Sequence, residues 1–192
     1  DDREVKFLRA ELLIRDERPA EAELLLQAAC ECSNEEQDHF IYDSIGIFMD
    51  YMLWDYAESW CMRLKHISPK YKGLPEIEAE IKMCTGDYDS AIDILNGILD
   101  INSYNSQAWN MLAESYFSKG TFEEAIEACQ FALAINEDDF KAISTLADCY
   151  YHTSSFSKAH EYYEKALMMR QDDALYHMDA VSLFQMGEFE QA

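Results

Sequence analysis

The chain has 192 residues, of which 38 are Asp or Glu and 15 are Lys or Arg, giving a formal net charge of -23. Acidity on that scale opposes phosphate backbones and anionic lipid surfaces, so nucleic-acid binding is not expected; with no apolar run longer than five residues, neither is membrane insertion. A hydrophobic content of 49% can supply a core, while 6 Gly and 3 Pro are too few for the turns of a β-sandwich or barrel, so the elements are expected to be helices.

In chain order, residues 3–37 carry Ala10, Leu13, Ala22, Leu26 and Ala29 at helical spacing, with Pro19 suited to the first turn of a second helix. Residues 38–71 follow with Ile41, Ile45 and Phe48, then Trp54, Ala57, Cys61, Leu64 and Pro69. Their turn, Met52-Leu53-Trp54, has no Gly, so this helix pair is expected to join differently from the others. Residues 72–105 show Leu74, Ile77 and Ile81 slipped by one position, then Gly86, Tyr88, Ala91, Leu95, Ile98 and Leu99; Pro75 suits a first helical turn. Residues 106–139 are the best formed: Trp109, Leu112, Ala113 and Tyr116 lie on one helical face, then come Gly120 and Phe122, and Ala125, Ala128, Cys129 and Ala132 mark the next helix. Residues 140–172 repeat this as Ile143, Leu146, Ala147, Tyr150, Ser154, Phe156, Ala159, Tyr163, Ala166 and Leu167. Residues 173–192 begin a sixth copy with Ala180, Leu183, Gly187, Phe189 and Ala192, and the chain is expected to continue past Ala192.

Gly86 and Gly120 can take the left-handed conformation that ends a first helix, and Asp87, Thr121 and Ser155 stand where N-caps of the second helices belong. Thr121-Phe-Glu-Glu124 has the pattern of a capping box. Trp109 is expected to fill space between helices on both sides, at a cost of roughly 3–5 kcal/mol if lost.

The Trp109, Leu112-Ala113, Tyr116, Gly120, Phe122, Ala125 and Ala132 pattern, recurring at about 34 residues, resembles the tetratricopeptide repeat, a helix–turn–helix unit. The resemblance covers the whole chain as five units and a partial sixth, with the boundaries given above. It implies an all-α, right-handed solenoid whose first helices line a concave groove, commonly holding an extended peptide or a partner helix.

On that layout the spacing turns Tyr42, Asp43, Met49, Glu76, Glu80, Met83, Asn110, Glu114, Phe117, Ser144, Asp148, Tyr151, His152, His177 and Phe184 inward. Ile14, Met49, Met83, Phe117, Tyr151 and Phe184 recur as an apolar stripe, readable as ligand contacts or as packing between neighbouring helices. Glu11, Glu80, Glu114 and Asp148 recur as an acidic stripe, readable as a steering surface or as a solvated face of an acidic protein. The expected partner is a protein or peptide with basic and apolar residues. Family members that hold acidic chaperone tails use Lys, Arg and Asn at inner places; Asn110 and Lys141 alone do not rebuild that clamp. A basic island, Arg63, Lys65, His66, Lys70 and Lys72, reads as cations opposing a helix dipole or as an anionic docking patch.

Cys30, Cys32, Cys61, Cys84, Cys129 and Cys149 show no C-x-x-C pair, and in so apolar a chain they read as free thiols of a reducing, cytoplasmic setting. His160-Glu161 lacks the second His of a zinc helix, Asp87-Tyr-Asp89 lacks the Gly and Glu of a calcium loop, and no phosphate loop, dinucleotide fingerprint or nucleophile elbow occurs. No catalytic residue, metal or cofactor is therefore expected. The sequence points to a non-enzymatic interaction module, with a regulatory or sensor domain of a larger enzyme, or an inert spacer, as alternatives.

Overall fold

The structure is a computed structural model that describes residues 2–31 and 37–187; Cys32, Phe189, Ala192 and the expected continuation of the sixth repeat lie outside the described residues. Among the described residues there are eleven helices and no strands: α1 (Asp2–Arg15), α2 (Pro19–Glu31), α3 (Gln37–Asp50), α4 (Trp54–Ile67), α5 (Leu74–Cys84), α6 (Tyr88–Ile101), α7 (Ser106–Lys119), α8 (Phe122–Ile135), α9 (Phe140–His152), α10 (Phe156–Met169) and α11 (Asp173–Met186). The architecture is that of an α-solenoid built from helical hairpins. The chain forms two compact units, Asp1–Gly86 and Asp87–Ala192. The division falls between α5 and α6, inside the expected repeat 72–105.

One backbone device recurs throughout. Gly86, Gly120 and Gly187, each close after the end of a helix, have φ of 81°, 84° and 84°, and at the same repeat position after α1, α3 and α9 stand Glu17, Met52 and Ser154 with φ of 61°, 56° and 58°. At Gly120 the motif is complete: its N–H donates to the Phe117 carbonyl and the Thr121 N–H reaches back to the Tyr116 carbonyl, both at 2.9 Å. Ser154 and Ser155 bond to Tyr151 and Tyr150 in the same way, as do Met52 and Leu53 to Met49 and Phe48. The glycine-free turn at Met52 therefore joins its helices like the others, contrary to the expectation from sequence. The hydrogen-bonded turn and the packing around it hold three non-glycine residues in a conformation that costs each about 1–2 kcal/mol.

In the first unit, Ile41, Ile45 and Phe48 share one face of α3 and are fully or almost fully buried against Ala57, Trp60, Cys61 and Leu64 of α4. Trp60 is 1% exposed, with the Phe48 ring 5.9 Å away and the Arg63 guanidinium 5.4 Å over its face. Leu74 and Ile81 of α5 are buried despite their slipped spacing. In the second unit, Ala113, Ala125, Ala128 and Ala132 are buried and permit close approach of α7 and α8, while Ile143, Leu146, Tyr150 and Tyr163 fill the space around α9 and α10. Cys61, Cys129 and Cys149 are buried thiols; burial raises the Cys61 thiol to about 11 and that of Cys149 to about 12.

Capping departs from the sequence reading at two of the three expected positions, Thr121 and Ser155. Asp87 accepts the Ser90 N–H at 3.3 Å as expected, but Thr121 makes no cap bond: its hydroxyl donates instead to the Tyr116 carbonyl at 3.2 Å, satisfying the end of α7. Ser155 likewise occupies the N-cap position of α10 without a side-chain cap bond. The first helices of the second unit are capped by residues the sequence reading did not single out, Asn105, Asp139 and Asp172, which accept N–H bonds from Ala108, Ala142 and Ala174 at 3.1, 3.2 and 3.0 Å.

Trp109 does not hold the core position expected of it. It is half-buried, stacks at 4.5 Å on the exposed Phe131, and its indole N–H donates to the Ser103 carbonyl at 2.9 Å. Its place explains two expected outcomes in urea denaturation: Trp60→Ala should cost about 3–5 kcal/mol and Trp109→Ala only about 1–2 kcal/mol. At the turns, Ser154→Gly should gain roughly 0.5–1 kcal/mol, whereas Gly120→Ala should lose about 1–2 kcal/mol.

Candidate functional site

The inward-facing residues expected from the sequence fall into separate groups. In the first unit, Tyr42, Asp43 and Met49 of α3 and Glu80 of α5 line one open depression. Gly46, Ile47 and Asp50 of α3, Ile77 of α5 and Trp54 at the start of α4 complete it. Its lining mixes apolar and aromatic side chains with three carboxylates, Asp43, Asp50 and Glu80. Asp43 is ion-paired with Arg3, whose guanidinium also lies over the Phe7 and Phe40 rings at 5.7 and 5.8 Å. Asp50 and Glu80 have no ion-pair partner among the described residues, and both are exposed. Tyr42 is fixed from behind: its ring lies 5.0 Å from that of Tyr71, whose hydroxyl bonds His39 Nδ1 at 2.7 Å. Glu76 and Met83, also on α5, are half-buried but do not line this depression.

Behind it, α5 is clipped to α4. Lys65 bonds both oxygens of Glu78 at 2.7 and 2.9 Å, and Lys82 meets Glu58 at 2.6 Å. Lys65 and Arg63 of the basic island thus have partners within the unit, the first a carboxylate and the second the Trp60 ring.

In the second unit the acidic-stripe residues Glu114 and Asp148 are engaged. Glu114 pairs with Lys141 at 2.9 Å. Asn110 is 8% exposed; its amide N–H donates to Asp139 Oδ2 at 2.8 Å while its Oδ1 is buried with no hydrogen-bond partner. Asp148 is turned toward α10 and accepts the hydroxyl of the fully buried Tyr163 at 2.7 Å. Burial raises the Asp148 carboxyl above the usual aspartate range, and the Tyr163 bond and nearby His152 oppose that rise. Burial and the same bond push the Tyr163 hydroxyl well up. Phe117, Tyr151 and His152 join Phe122 and Phe156 in one aromatic cluster, in which His152 stacks face to face on Phe122 at 4.7 Å and 6°. Ser144 is half-buried, and His177 and Phe184 lie exposed on α11. His160 bonds Asp179 at 2.6 Å, joining α10 to α11.

The sequence reading missed Gly46, Asp50, Trp54 and Ile77 as lining residues. Gly46 carried a signal, since a glycine inside a strongly periodic helix calls for a reason. Trp54 and Ile77 were read only as packing residues of the repeat. Among the described residues no cluster of three or more His, Cys, Asp or Glu could hold a metal ion, and no helix is long and apolar enough to cross a membrane.

Left-handed residues close after helix ends every 33 to 35 positions, with buried alanines on the paired helices within each unit, define a two-helix repeat protein. Two family models described as tetratricopeptide repeat match residues 79–140 and 116–178, together just over half of the chain. The chain belongs to the tetratricopeptide repeat family. No curated protein matches it. Among solved structures, a tetratricopeptide repeat protein from Parabacteroides merdae is similar with a TM-score of 0.76 at 18% identity, covering 98% of this chain and 75% of that one. MamA (41-end) from Desulfovibrio magneticus RS-1 gives 0.69 at 17% identity, covering 90% of this chain and 98% of that one. The first TPR of Spaghetti (RPAP3), bound to the HSP90 peptide SRMEEVD, gives 0.58 at 22% identity, covering 59% and 91%. Likeness at these identities is likeness of fold.

The Asp148–Tyr163 contact has a pH consequence. A carboxyl raised by burial is favoured in its protonated form by the folded state, so the stability associated with it is lost as pH rises from the ordinary aspartate value of about 3.9 through its elevated folded value. Asp148→Asn keeps an oxygen for the Tyr163 hydroxyl and removes the charge. In urea denaturation begun at about pH 3, below the ordinary aspartate value, and carried upward to about pH 8, the stability of the variant relative to wild type should rise with pH and then level off; a difference that is flat or falling over the whole range would contradict the burial argument.

Proposed function

We propose that the chain is a non-enzymatic protein-interaction module and that the depression between α3 and α5 receives a basic, apolar segment of a partner protein. The observation that carries this reading is one depression lined both by apolar side chains, Ile47, Met49, Trp54 and Ile77, and by two exposed carboxylates, Asp50 and Glu80, that have no ion-pair partner among the described residues. Apolar side chains in the lining favour contact with apolar side chains of a ligand, and the unpaired carboxylates beside them favour an arriving Lys or Arg and disfavour an acidic segment. The net charge of -23 adds a long-range attraction for the same ligands. Trp54 offers a ring on which a guanidinium can stack. The tetratricopeptide fold supports the module reading, because its members' helical hairpins commonly serve as docking surfaces. The acidic peptide SRMEEVD belongs to the Spaghetti structure; the depression in this chain has the opposite charge preference.

A fluorescent peptide of alternating Arg and Leu, titrated onto the full chain, tests the reading. Asp50→Asn with Glu80→Gln should weaken binding by roughly 5- to 30-fold, at about 0.5–1 kcal/mol per exposed pair, and should flatten its salt dependence. Asp93→Asn with Asp100→Asn, which removes the same charge from the exposed side of α6, should change binding little, and a Glu–Leu peptide should not bind. Equal weakening by both double variants would reduce the interaction to net charge and overturn the proposed site.

A further inference from the structure

Gly46 lies in the middle of α3, where glycine is among the least favourable residues for a helix. Packing does not require it: a Cβ added there would meet nothing within 4 Å. Gly97 in α6 has the same freedom, but Gly46 alone of the two lines the depression, with Tyr42 one turn before it and Met49 and Asp50 one turn after. Glu80 stands 34 residues further on, followed at the same interval by Glu114 and Asp148. Where those repeats place a carboxylate, α3 presents bare backbone, and the result is a notch in the wall of the depression.

We propose that Gly46 is a ligand-contact position at which the main chain of the bound basic, apolar segment lies directly against α3. This inference rests on the function proposed above. Glycine serves where a backbone and a ligand must approach closely, and here the helix gives up a better helix former with no gain in its own packing. A segment seated in the notch brings its main chain against the Gly46 Cα. Cationic side chains can then reach Asp50 on one side and Glu80 on the other, while an apolar side chain meets Met49 and Trp54. The mid-helix N–H and C=O groups are already paired, so the contact at Gly46 is one of shape and weak Cα–H donation, and a single methyl group is enough to block it.

The test compares Gly46→Ala with Gly97→Ala in the full chain, using the Arg–Leu peptide. Alanine is the better helix former and has room at both sites, so both variants should unfold at higher urea concentration than wild type. Only Gly46→Ala should weaken the peptide, by roughly tenfold, and Gly46→Ser should do the same. If Gly46→Ala binds like wild type while Asp50→Asn with Glu80→Gln is weakened, the notch is not a contact and the inference fails although the site stands. If Gly46→Ala lowers stability where Gly97→Ala raises it, Gly46 is structural and the inference also fails. If the peptide does not bind the wild-type chain, the proposed function falls and the inference with it.

Discussion

Each hairpin in either unit depends on one residue that leaves the right-handed region and lets the chain reverse. Without it the second helix of a pair could not fold back on the first, and neither could bury its apolar stripe. The left-handed residue costs no more than a turn's worth of space, and its N–H, with that of the next residue, satisfies two carbonyls that a helix end would otherwise leave unpaired. The repeat length follows from this: two helices of about four turns each, one reversal and one short connection. The small buried residues of α7 and α8, such as Ala113, Ala125 and Ala132, follow as well, since a tight reversal brings paired helices close and leaves little room for larger side chains.

Scarcity of cations shapes the electrostatics. Several of the chain's basic residues form clips between neighbouring helices: Lys65 and Lys82 hold α5 to α4, Lys141 holds α9 to α7, and Lys119 reaches Asp89. Exposed pairs of this kind each contribute little to stability, about 0–1 kcal/mol, but they decide which carboxylates are left over. Glu114 is neutralised by Lys141 and Asp148 is turned into the α9–α10 contact with Tyr163, while Asp50 and Glu80 keep their charge in solvent. The same place in successive repeats therefore carries different chemistry: a notch at Gly46, an open acid at Glu80, a paired acid at Glu114 and a half-buried, hydrogen-bonded acid at Asp148.

That variation explains what was legible in the sequence. Periodicity reports which face of a helix is buried, so the helices, the reversals at Gly86 and Gly120 and the core positions of Ile41, Ile45, Phe48, Leu146 and Tyr163 could be read directly. Met52 and Glu17 could not, because only the surrounding turn holds them in a conformation their own side chains disfavour. Thr121 looked like a cap, but a hydroxyl can also donate, and it donates to the end of α7. Trp109, expected in the core, is half-buried, while Trp60, which the repeat pattern did not single out, is the buried one, because spacing identifies a face but not how deep a neighbour lies. Of the candidate site, Tyr42, Met49 and Glu80 were legible by the repeat; Asp50, Trp54 and Gly46 were not, since Trp54 was taken as packing and the absence of a side chain at Gly46 has meaning only once the depression around it is seen.

In the proposed function the α3–α5 depression, and not the acidity of the chain at large, receives a basic, apolar segment. Backbone amide chemical shifts of the full chain, followed by NMR as the Arg–Leu peptide is added, test this most directly. Shifts confined to Gly46, Met49, Asp50 and Trp54 with Ile77 and Glu80, saturating at one peptide per chain, are the predicted result. Small shifts spread over acidic residues of both units without saturation would contradict it.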